Sequence, residues 1–500
     1  MTSSAAAGGR LLSGVVWNAL GRGLPLLLAL ALTPVLLHQL GLERWGLFTL
    51  ALAMVGVFGV FDFGVGPALT RSLAERIGAG KIEEGWSLVG SALVVVTAIS
   101  AVVALVLWLA IPWLVGSALN VPPALRDEAI GGFRVLAAAA PIVLLNAALW
   151  GVLAAHHRFR AANLVNIPIN ALYYIGPVLL LLVWDSFAGV MLVLVGCRFG
   201  MTLAYAWLAL RDVPGLGLSR IRLRLALPLL RLGGWMTFTS LLSQSLLYAD
   251  RFLIGALLSL TAVAFYATPM DLVLRVWIVP VAVVQVLVPA IAGAFQSRPA
   301  EAASVLRQGT LGILLLSLPA CLLLTGAAWE LLALWLGRAV ADGGAGVLRI
   351  LGIGVFFSCV AYAPASLLDA IGRPDVTASF VLVQAVIFLP LMVALLHAFG
   401  IEGAAIAWAL RCAADCLGKA VLGARCYRPA AEGMRAAAPP MAAASLGLLA
   451  MALPLGRPVL AALAVLIVAV VTGLVWRALA PGEREAILGR LRRVRGARSA

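Results

Sequence analysis

Arginine, lysine and aspartate side chains recur inside the longest apolar stretches of this 500-residue sequence. If those stretches are helices that cross a bilayer, each such charge costs about 3 kcal/mol or more unless it gains a partner or a water-filled cavity. These positions are therefore the first candidates for function. They are Arg22, Asp62, Arg134, Arg198, Asp250, Arg251, Asp271, Arg275, Arg349, Asp369, Arg411, Asp415 and Lys419.

Two acid–base pairs have the spacing of neighbours on one helix face. Asp271 precedes Arg275 by four residues, and Arg411 precedes Asp415 by four. Because residues i and i+4 lie side by side on a helix, each pair can form an ion pair. A structural pairing and a direct substrate contact both remain open for these four. The candidates for ion pairing or for coupling to an ion gradient are Asp62, Asp250, Asp271, Asp369, Arg411 and Asp415.

Four arginines have no acidic neighbour within four residues. Arg134 and Arg349 lie near the ends of predicted helices, where a long side chain can also reach the interface, so both interpretations stay open. Arg22 and Arg198 lie deeper, which favours a cavity. Arginine binds phosphate through charge-assisted, often bidentate hydrogen bonds. A cavity with several such side chains therefore suits an anionic, phosphate-bearing substrate.

Polar stripes mark individual helix faces. Gln244, Tyr248 and Arg251 continue a stripe that begins at Thr237 and Ser240, in steps of three or four residues. A stripe of this length that ends in arginine predicts a cavity wall. A second stripe follows the same steps through Ser358, Tyr362, Ser366 and Asp369.

A shorter stripe, Asn163, Asn166 and Asn170, is accounted for by hydrogen bonding between helices alone. The predicted substrate-binding candidates are accordingly Arg22, Arg198, Arg251, Arg275, Arg134, Arg349, Gln244 and Tyr248.

No metal site, cofactor or catalytic group is predicted. Cys412 and Cys416 lie one helical turn apart, but no histidine is near them, so they are interpreted as small buried apolar residues. The longest predicted outer loop, 116–131, offers only Asp127 and Glu128 for acid–base chemistry. We therefore expect a protein that is not an enzyme.

The amino-acid composition indicates that the charged side chains named above lie in a membrane protein. Hydrophobic residues make up 63% of the chain and charged residues 11%, with a mean hydropathy of +1.08. Apolar runs of about 20 residues are long enough to cross a bilayer as helices. The predicted fold is all-α and polytopic, with about fourteen spans. These are 12–37, 45–69, 86–115, 132–155, 161–184, 187–210, 232–258, 262–294, 309–337, 346–371, 376–399, 402–424, 436–455 and 458–480.

The distribution of positive charge predicts the orientation. Lysine and arginine concentrate in alternate loops, and the other loops hold only Arg44, Arg126, Arg338 and Arg457. By the positive-inside rule both termini are cytoplasmic. This explains most of the net charge of +15 without nucleic-acid binding. The basic tail, 481–500, is expected to rest on anionic lipid headgroups.

The sequence also contains a weak internal repeat. A shift of 218 places Trp17 on Trp235, and a shift of 215 places Arg134 on Arg349. Two pseudo-symmetric six-helix bundles are predicted, with the substrate between them. The predicted domains are an N-terminal bundle with its cytoplasmic linker at 1–231, a C-terminal bundle at 232–425, two additional helices at 426–480 and the tail at 481–500.

Several motifs resemble those of one transporter family. Leu40–Phe48, Phe61–Gly66 and Arg71–Glu75 resemble the first two spans of the Wzx-like flippases for O-antigen, exopolysaccharide and teichoic-acid precursors. Asp250–Gly255 and Gly372–Pro374 resemble later motifs of that family, and the resemblance covers about 1–425.

This resemblance implies the fold of the multidrug/oligosaccharidyl-lipid/polysaccharide (MOP) superfamily. It implies a bacterial inner-membrane flippase that moves undecaprenyl-diphosphate-linked oligosaccharide to the outer leaflet by alternating access. The expected partners are this lipid, membrane lipids, and the glycan polymerase and glycosyltransferases of the same pathway. A lipid II flippase and a multidrug antiporter of the superfamily remain alternatives, as does a membrane-embedded polysaccharide polymerase or ligase. The sequence does not identify the glycan or the coupling ion.

Overall fold

Helices make up all the regular structure in the described part of the chain. The computed structural model describes residues 2–58, 65–156, 158–212 and 246–485, and these contain no β-strand. The all-α prediction is therefore confirmed. The helices are α1 Thr2–Phe58, α2 Val65–Gly78, α3 Ile82–Trp113, α4 Arg126–Ala138, α5 Ala140–Ala155, α6 Phe159–Leu181, α7 Phe187–Asp212, α8 246–257, α9 Leu260–Leu274, α10 Ile278–Ala294, α11 Pro299–Gly326, α12 Ala328–Leu336, α13 Arg338–Ala370, α14 Pro374–Cys426, α15 Ala430–Met451 and α16 Arg457–Ala478.

Nine helical segments of the described chain are long and apolar enough to cross a membrane. Large apolar side chains point outward from them, among them Leu109, Val286 and Val386, which are 69%, 73% and 71% exposed. Such surfaces are stable against hydrocarbon rather than water. The protein is thus a multi-pass membrane protein, while the count of fourteen spans stays a prediction.

Two glycines with positive φ divide the longest helices. Gly41 (φ 74°) divides α1 between the first two predicted spans, and Gly400 (φ 59°) divides α14 between predicted spans 376–399 and 402–424. A side chain at either position would be strained, because Cβ disfavours positive φ. The chain reverses tightly after Gly400, since a Cβ on Gly403 would lie 1.9 Å from the Leu395 carbonyl oxygen.

The long predicted span 262–294 consists of two helices. A 3₁₀ turn, Arg275–Trp277, separates α9 from α10. The break lies one turn before Pro280. The proline ring clashes with the helical position of the Val276 carbonyl, and proline has no N–H to donate to that carbonyl. Pro269 and Pro289 instead lie inside α9 and α10.

The chain separates into two compact units, Met1–Ala264 and Phe265–Ala500. In the first unit, α2, α3, α5, α6 and α7 pack around a core that includes Leu73, Val89, Val152 and Tyr205. Near one end of this unit, Arg44 donates to Glu128 at 3.0 Å and to Asp185 at 2.7 Å, which ties α1 to α4 and to the α6–α7 loop.

In the second unit, α13 packs against α10, α11, α12 and α14. Trp408 of α14 is fully buried, because Gly354 of α13 leaves room for its ring. Cys321, Cys359, Cys412 and Cys416 are also buried in this unit.

A polar cluster fastens the segment after α16 onto α11. The Glu483 carboxylate accepts hydrogen bonds from Ser304, from Arg307 at 2.5 Å, from Gln308 at 3.0 Å and from the Ala480 amide at 2.7 Å. Burial opposes ionisation of Glu483, but these donors outweigh it and lower its pKa to about 2.

Candidate functional site

A polar pocket of about 470 Å³ lies among four helices of the first unit. Helices α2, α5, α6 and α7 contribute its walls, and none of the described residues that line it is acidic. This is the size of a typical small-ligand site. The lining residues are Gly66, Thr70, Asn146, Ala147, Trp150, Asn166, Asn170, Arg198, Met201 and Tyr205.

Arg198 supplies the positive charge of this pocket. It lies near the middle of α7, and its guanidinium carbon is 5.4 Å from the centre of the Tyr173 ring on α6. Stacking on an aromatic face holds the guanidinium plane in place and adds a cation–π attraction. The Arg198 Nε is buried and has no hydrogen-bond partner among the described residues. Arg198 also lines the pocket, where it is the one cation among the described lining residues.

Asparagine amides supply much of the polar surface of the pocket. Asn170 donates to the Asn166 side-chain oxygen on α6, and Asn146 of α5 donates to the Thr202 hydroxyl at 3.3 Å. Thr202 in turn bonds to the Arg198 carbonyl, at 2.9 Å. Interhelical hydrogen bonding had seemed sufficient for the asparagine stripe, but Asn166 and Asn170 bond to each other and line the pocket beside Arg198.

The remaining pocket residues are ones that the sequence interpretation missed. Trp150 packs against Tyr205, with ring centroids 6.0 Å apart, and Thr70 donates to the Gly66 and Gly151 carbonyls. The sequence feature that could have predicted this site is the asparagine stripe on one helix together with an arginine on the next helix that has no acidic neighbour in sequence.

The Asp250–Arg251 pair lies on α8, outside the residues that line the pocket. Asp250 is fully buried and Arg251 is 3% exposed. Asp250 accepts the Arg251 amide at 2.8 Å, and the Arg251 guanidinium lies 5.5 Å from the Tyr248 ring. A Cβ on Gly56 would meet that tyrosine ring, so α1 passes close to it. Burial of both charges in one turn indicates an internal polar network.

Three predicted site residues lie wholly or partly outside the described structure. Gln244 and Asp62 lie outside the described residues. Arg22 lies on α1, but its side chain is not described. Their roles stay predictions, as does the predicted cavity between the two halves.

The spacing permits an Arg411–Asp415 ion pair, but the structure pairs Asp415 with another residue. Asp415 pairs with Lys419, Oδ2 to Nζ, at 2.8 Å, and its other oxygen accepts from Gln384 at 3.1 Å. An acid placed four residues before a base is the better order on a helix, which favours Lys419 over Arg411. Arg411 instead lies over Phe388, 5.1 Å from the ring centre.

Arg275 does not form the predicted pair with Asp271. It is exposed and begins the 3₁₀ turn after α9, and it makes no salt bridge within the described chain. The tighter turn changes the angular step between residues, so the i and i+4 side chains no longer lie side by side.

The two peripheral arginines and Asp369 lie away from the Arg198 pocket lining. Arg134 stacks on Trp108 at 5.2 Å, and Arg349 is half-buried on α13. The Nε atoms of both arginines are buried without a hydrogen-bond partner in the described residues. Asp369 is exposed near the end of α13.

The internal repeat extends to these arginine sites. A shift of 213 carries Arg198 onto Arg411, and a shift of 215 carries Tyr173 onto Phe388, so each unit holds an arginine over an aromatic ring. A shift of 214 carries Asn170 onto Gln384. The second unit fills its copy of the site with Asp415 and Lys419, whereas the first unit leaves a pocket.

These long apolar helices, with a polar pocket among them, define a polytopic α-helical membrane protein. The chain belongs to the polysaccharide biosynthesis protein family, which it matches over residues 11–295. A putative O-antigen transporter of Shigella flexneri is 25% identical over 402 residues, which cover 80% of this chain and 95% of that protein.

Solved structures confirm the superfamily fold. An inward-facing multidrug resistance MATE family transporter of the MOP superfamily matches with a TM-score of 0.72 at 16% identity, over 83% of this chain and 98% of that one. The lipid II flippase MurJ, in an inward closed conformation, matches with a TM-score of 0.64 at 12% identity, over 91% and 99%. The family expected from the motifs is confirmed, and so is the expected fold.

Proposed function

We propose that this protein is a flippase that moves undecaprenyl-diphosphate-linked oligosaccharide from the cytoplasmic to the outer leaflet of a bacterial inner membrane. The observation that carries this proposal is the Arg198 pocket, a polar cationic chamber among helices that otherwise face hydrocarbon. Membership of the polysaccharide biosynthesis family and the likeness to a putative O-antigen transporter support it. The MOP-type fold supports movement by alternating access.

The pocket suits a polar group that is neutral or carries one negative charge, because its described lining has one arginine and no carboxylate. A cationic drug would gain no partner there, which weighs against the multidrug alternative. An inside-negative potential also favours outward movement of negative charge, by about 2.3 kcal/mol per charge per 100 mV. The positive-inside pattern supports cytoplasmic termini, and the cargo supports contact with the enzymes that build and polymerise the glycan.

The direct test is flipping in proteoliposomes, with fluorescently labelled lipid-linked oligosaccharide extracted from cells. Hydrogen bonds to a charged group contribute about 1.5–3 kcal/mol, so Arg198→Gln should slow outer-leaflet accumulation by about 10- to 150-fold. Arg211→Gln is the matched control. Arg211 lies on the same helix and also stacks on an aromatic ring, Trp207 at 5.2 Å, but it does not line the pocket.

Wild-type protein that moves no lipid-linked oligosaccharide under an imposed potential would contradict the flippase proposal. Equal rates for wild type and Arg198→Gln would remove the pocket from the transport path. Elongation of the glycan in the same vesicles would favour the polymerase or ligase alternative.

A further inference from the structure

We infer that the Arg198 pocket binds a sugar ring of the cargo, not its diphosphate, and so determines which glycan is accepted. The inference rests on the proposed function and assigns the pocket to one part of the substrate. It makes the asparagines of α5 and α6 specificity-determining residues.

Charge balance is the first argument. A diphosphate diester carries two negative charges, whereas Arg198 is the one cation among the described lining residues. An uncompensated charge at this depth in a bilayer is costly. The pocket therefore matches a group with at most one negative charge, such as a neutral sugar or a sugar with a single acidic substituent.

Hydrogen-bonding capacity is the second argument. Asn146, Asn166 and Asn170 present amides that both donate and accept, and Thr70 adds a hydroxyl. Sugar hydroxyls also donate and accept, so they can satisfy such a wall from either side. Phosphate oxygens only accept, so they would offer no donor to the side-chain oxygens of Asn146 and Asn170, whereas the Asn166 oxygen already accepts from Asn170.

Aromatic surface is the third argument. Trp150 and Tyr205 form one wall, and their rings are inclined at 42° to one another. The C–H face of a sugar ring packs against such surfaces, whereas a diphosphate has no apolar face. Tyr173 fixes the plane of Arg198 without entering the lining, so the guanidinium is oriented before the cargo arrives.

The second unit provides an internal comparison. At the equivalent site Gln384 donates to Asp415, which pairs with Lys419, so that copy is filled by its own charges. The first unit has neutral Met201 and Tyr205 at the corresponding steps of α7, and its amides face an open volume. The pocket of the first unit is therefore the one of the two equivalent sites that binds the cargo.

The test compares two probes on the purified full chain in nanodiscs. One probe is undecaprenyl diphosphate without sugar, and the other is lipid-linked oligosaccharide extracted from cells. Each lost amide contact should lower the affinity for the glycosylated probe by about tenfold. The Asn166→Ala/Asn170→Ala variant should thus lose about 100-fold in affinity for that probe and less than twofold for the bare carrier.

Asn163→Ala serves as the control, since Asn163 lies on the same helix and stripe but not in the pocket lining. Thermal melts of each variant verify folding, and Asn166→Ser retains a hydrogen-bonding group if the double variant does not fold. Equal weakening of both probes would place the diphosphate in the pocket and overturn the inference, as would unchanged binding of both. If the wild type binds neither probe, the proposed function itself fails.

Discussion

The Asp415–Lys419 pair of the second unit allows a quantitative test of how its charges are held. The two side chains are 20% and 12% exposed, and their charged atoms are 2.8 Å apart. At an effective dielectric constant of 20 their gross attraction is about 6 kcal/mol, most of which offsets the cost of removing both ions from water. Removing one partner leaves the other charge buried.

We therefore expect Asp415→Asn to destabilise the protein by about 3–5 kcal/mol, since Lys419 loses the one salt-bridge partner that it has among the described residues. Lys419→Gln should cost less, because Gln384 still donates to Asp415. The double variant Asp415→Asn/Lys419→Gln should recover most of the loss. The measurement is a double-mutant cycle of unfolding free energies in detergent micelles, and Asp375→Asn, at an exposed position outside this cluster, is the control.

A coupling energy below about 0.5 kcal/mol would show that water screens the pair and would refute this reasoning. Transport assays on the same variants address the coupling role proposed for Asp415. If Asp415 couples transport to an ion gradient, Asp415→Asn should make flipping independent of an imposed gradient, and a retained dependence would exclude Asp415.

Two further predictions concern the stability of the second unit. Glu483 has a pKa of about 2, below the usual value near 4.5, so its bonds to Ser304 and Arg307 should add about 3 kcal/mol of stability above pH 4.5 that is lost as pH falls towards 2. Acid unfolding of Glu483→Gln should show a correspondingly smaller loss over that interval, and identical profiles would contradict the assigned contacts. Gly400→Ala should cost about 1–3 kcal/mol, because φ is 59° and ψ is −142° there. An unchanged melting temperature would show that the turn relaxes.

Hydropathy and turn chemistry predicted the helices well, because these properties are local. Gly400 lies in the short gap between two predicted spans, and the chain reverses there. The break at Arg275–Trp277 lies inside the single predicted span 262–294, because hydropathy does not say which of three prolines the surrounding helices accommodate.

Site residues were harder to predict. The spacing of residues shows which of them share one face of a helix, but it does not show which other helix that face contacts. The four-residue rule allowed both Arg411 and Lys419 as partners of Asp415, and packing beside Phe388 and Gln384 decided between them. Arg198 was identified from its lack of an acidic neighbour. The asparagines were assigned a structural role, since only the fold shows that α5 and α6 bring their amides beside it.

Both units contain an arginine stacked on an aromatic ring, and this repeated motif has a consequence for the evolution of substrate specificity. The two units differ at equivalent sites. The second unit contains the Asp415–Lys419 ion pair there, whereas the first unit has an open pocket. Under the proposed function, substitutions on α5 and α6 of the first unit therefore alter the accepted cargo and leave the internal charges of the second unit intact. New glycan preferences could then arise in one half of the molecule at little cost in folding.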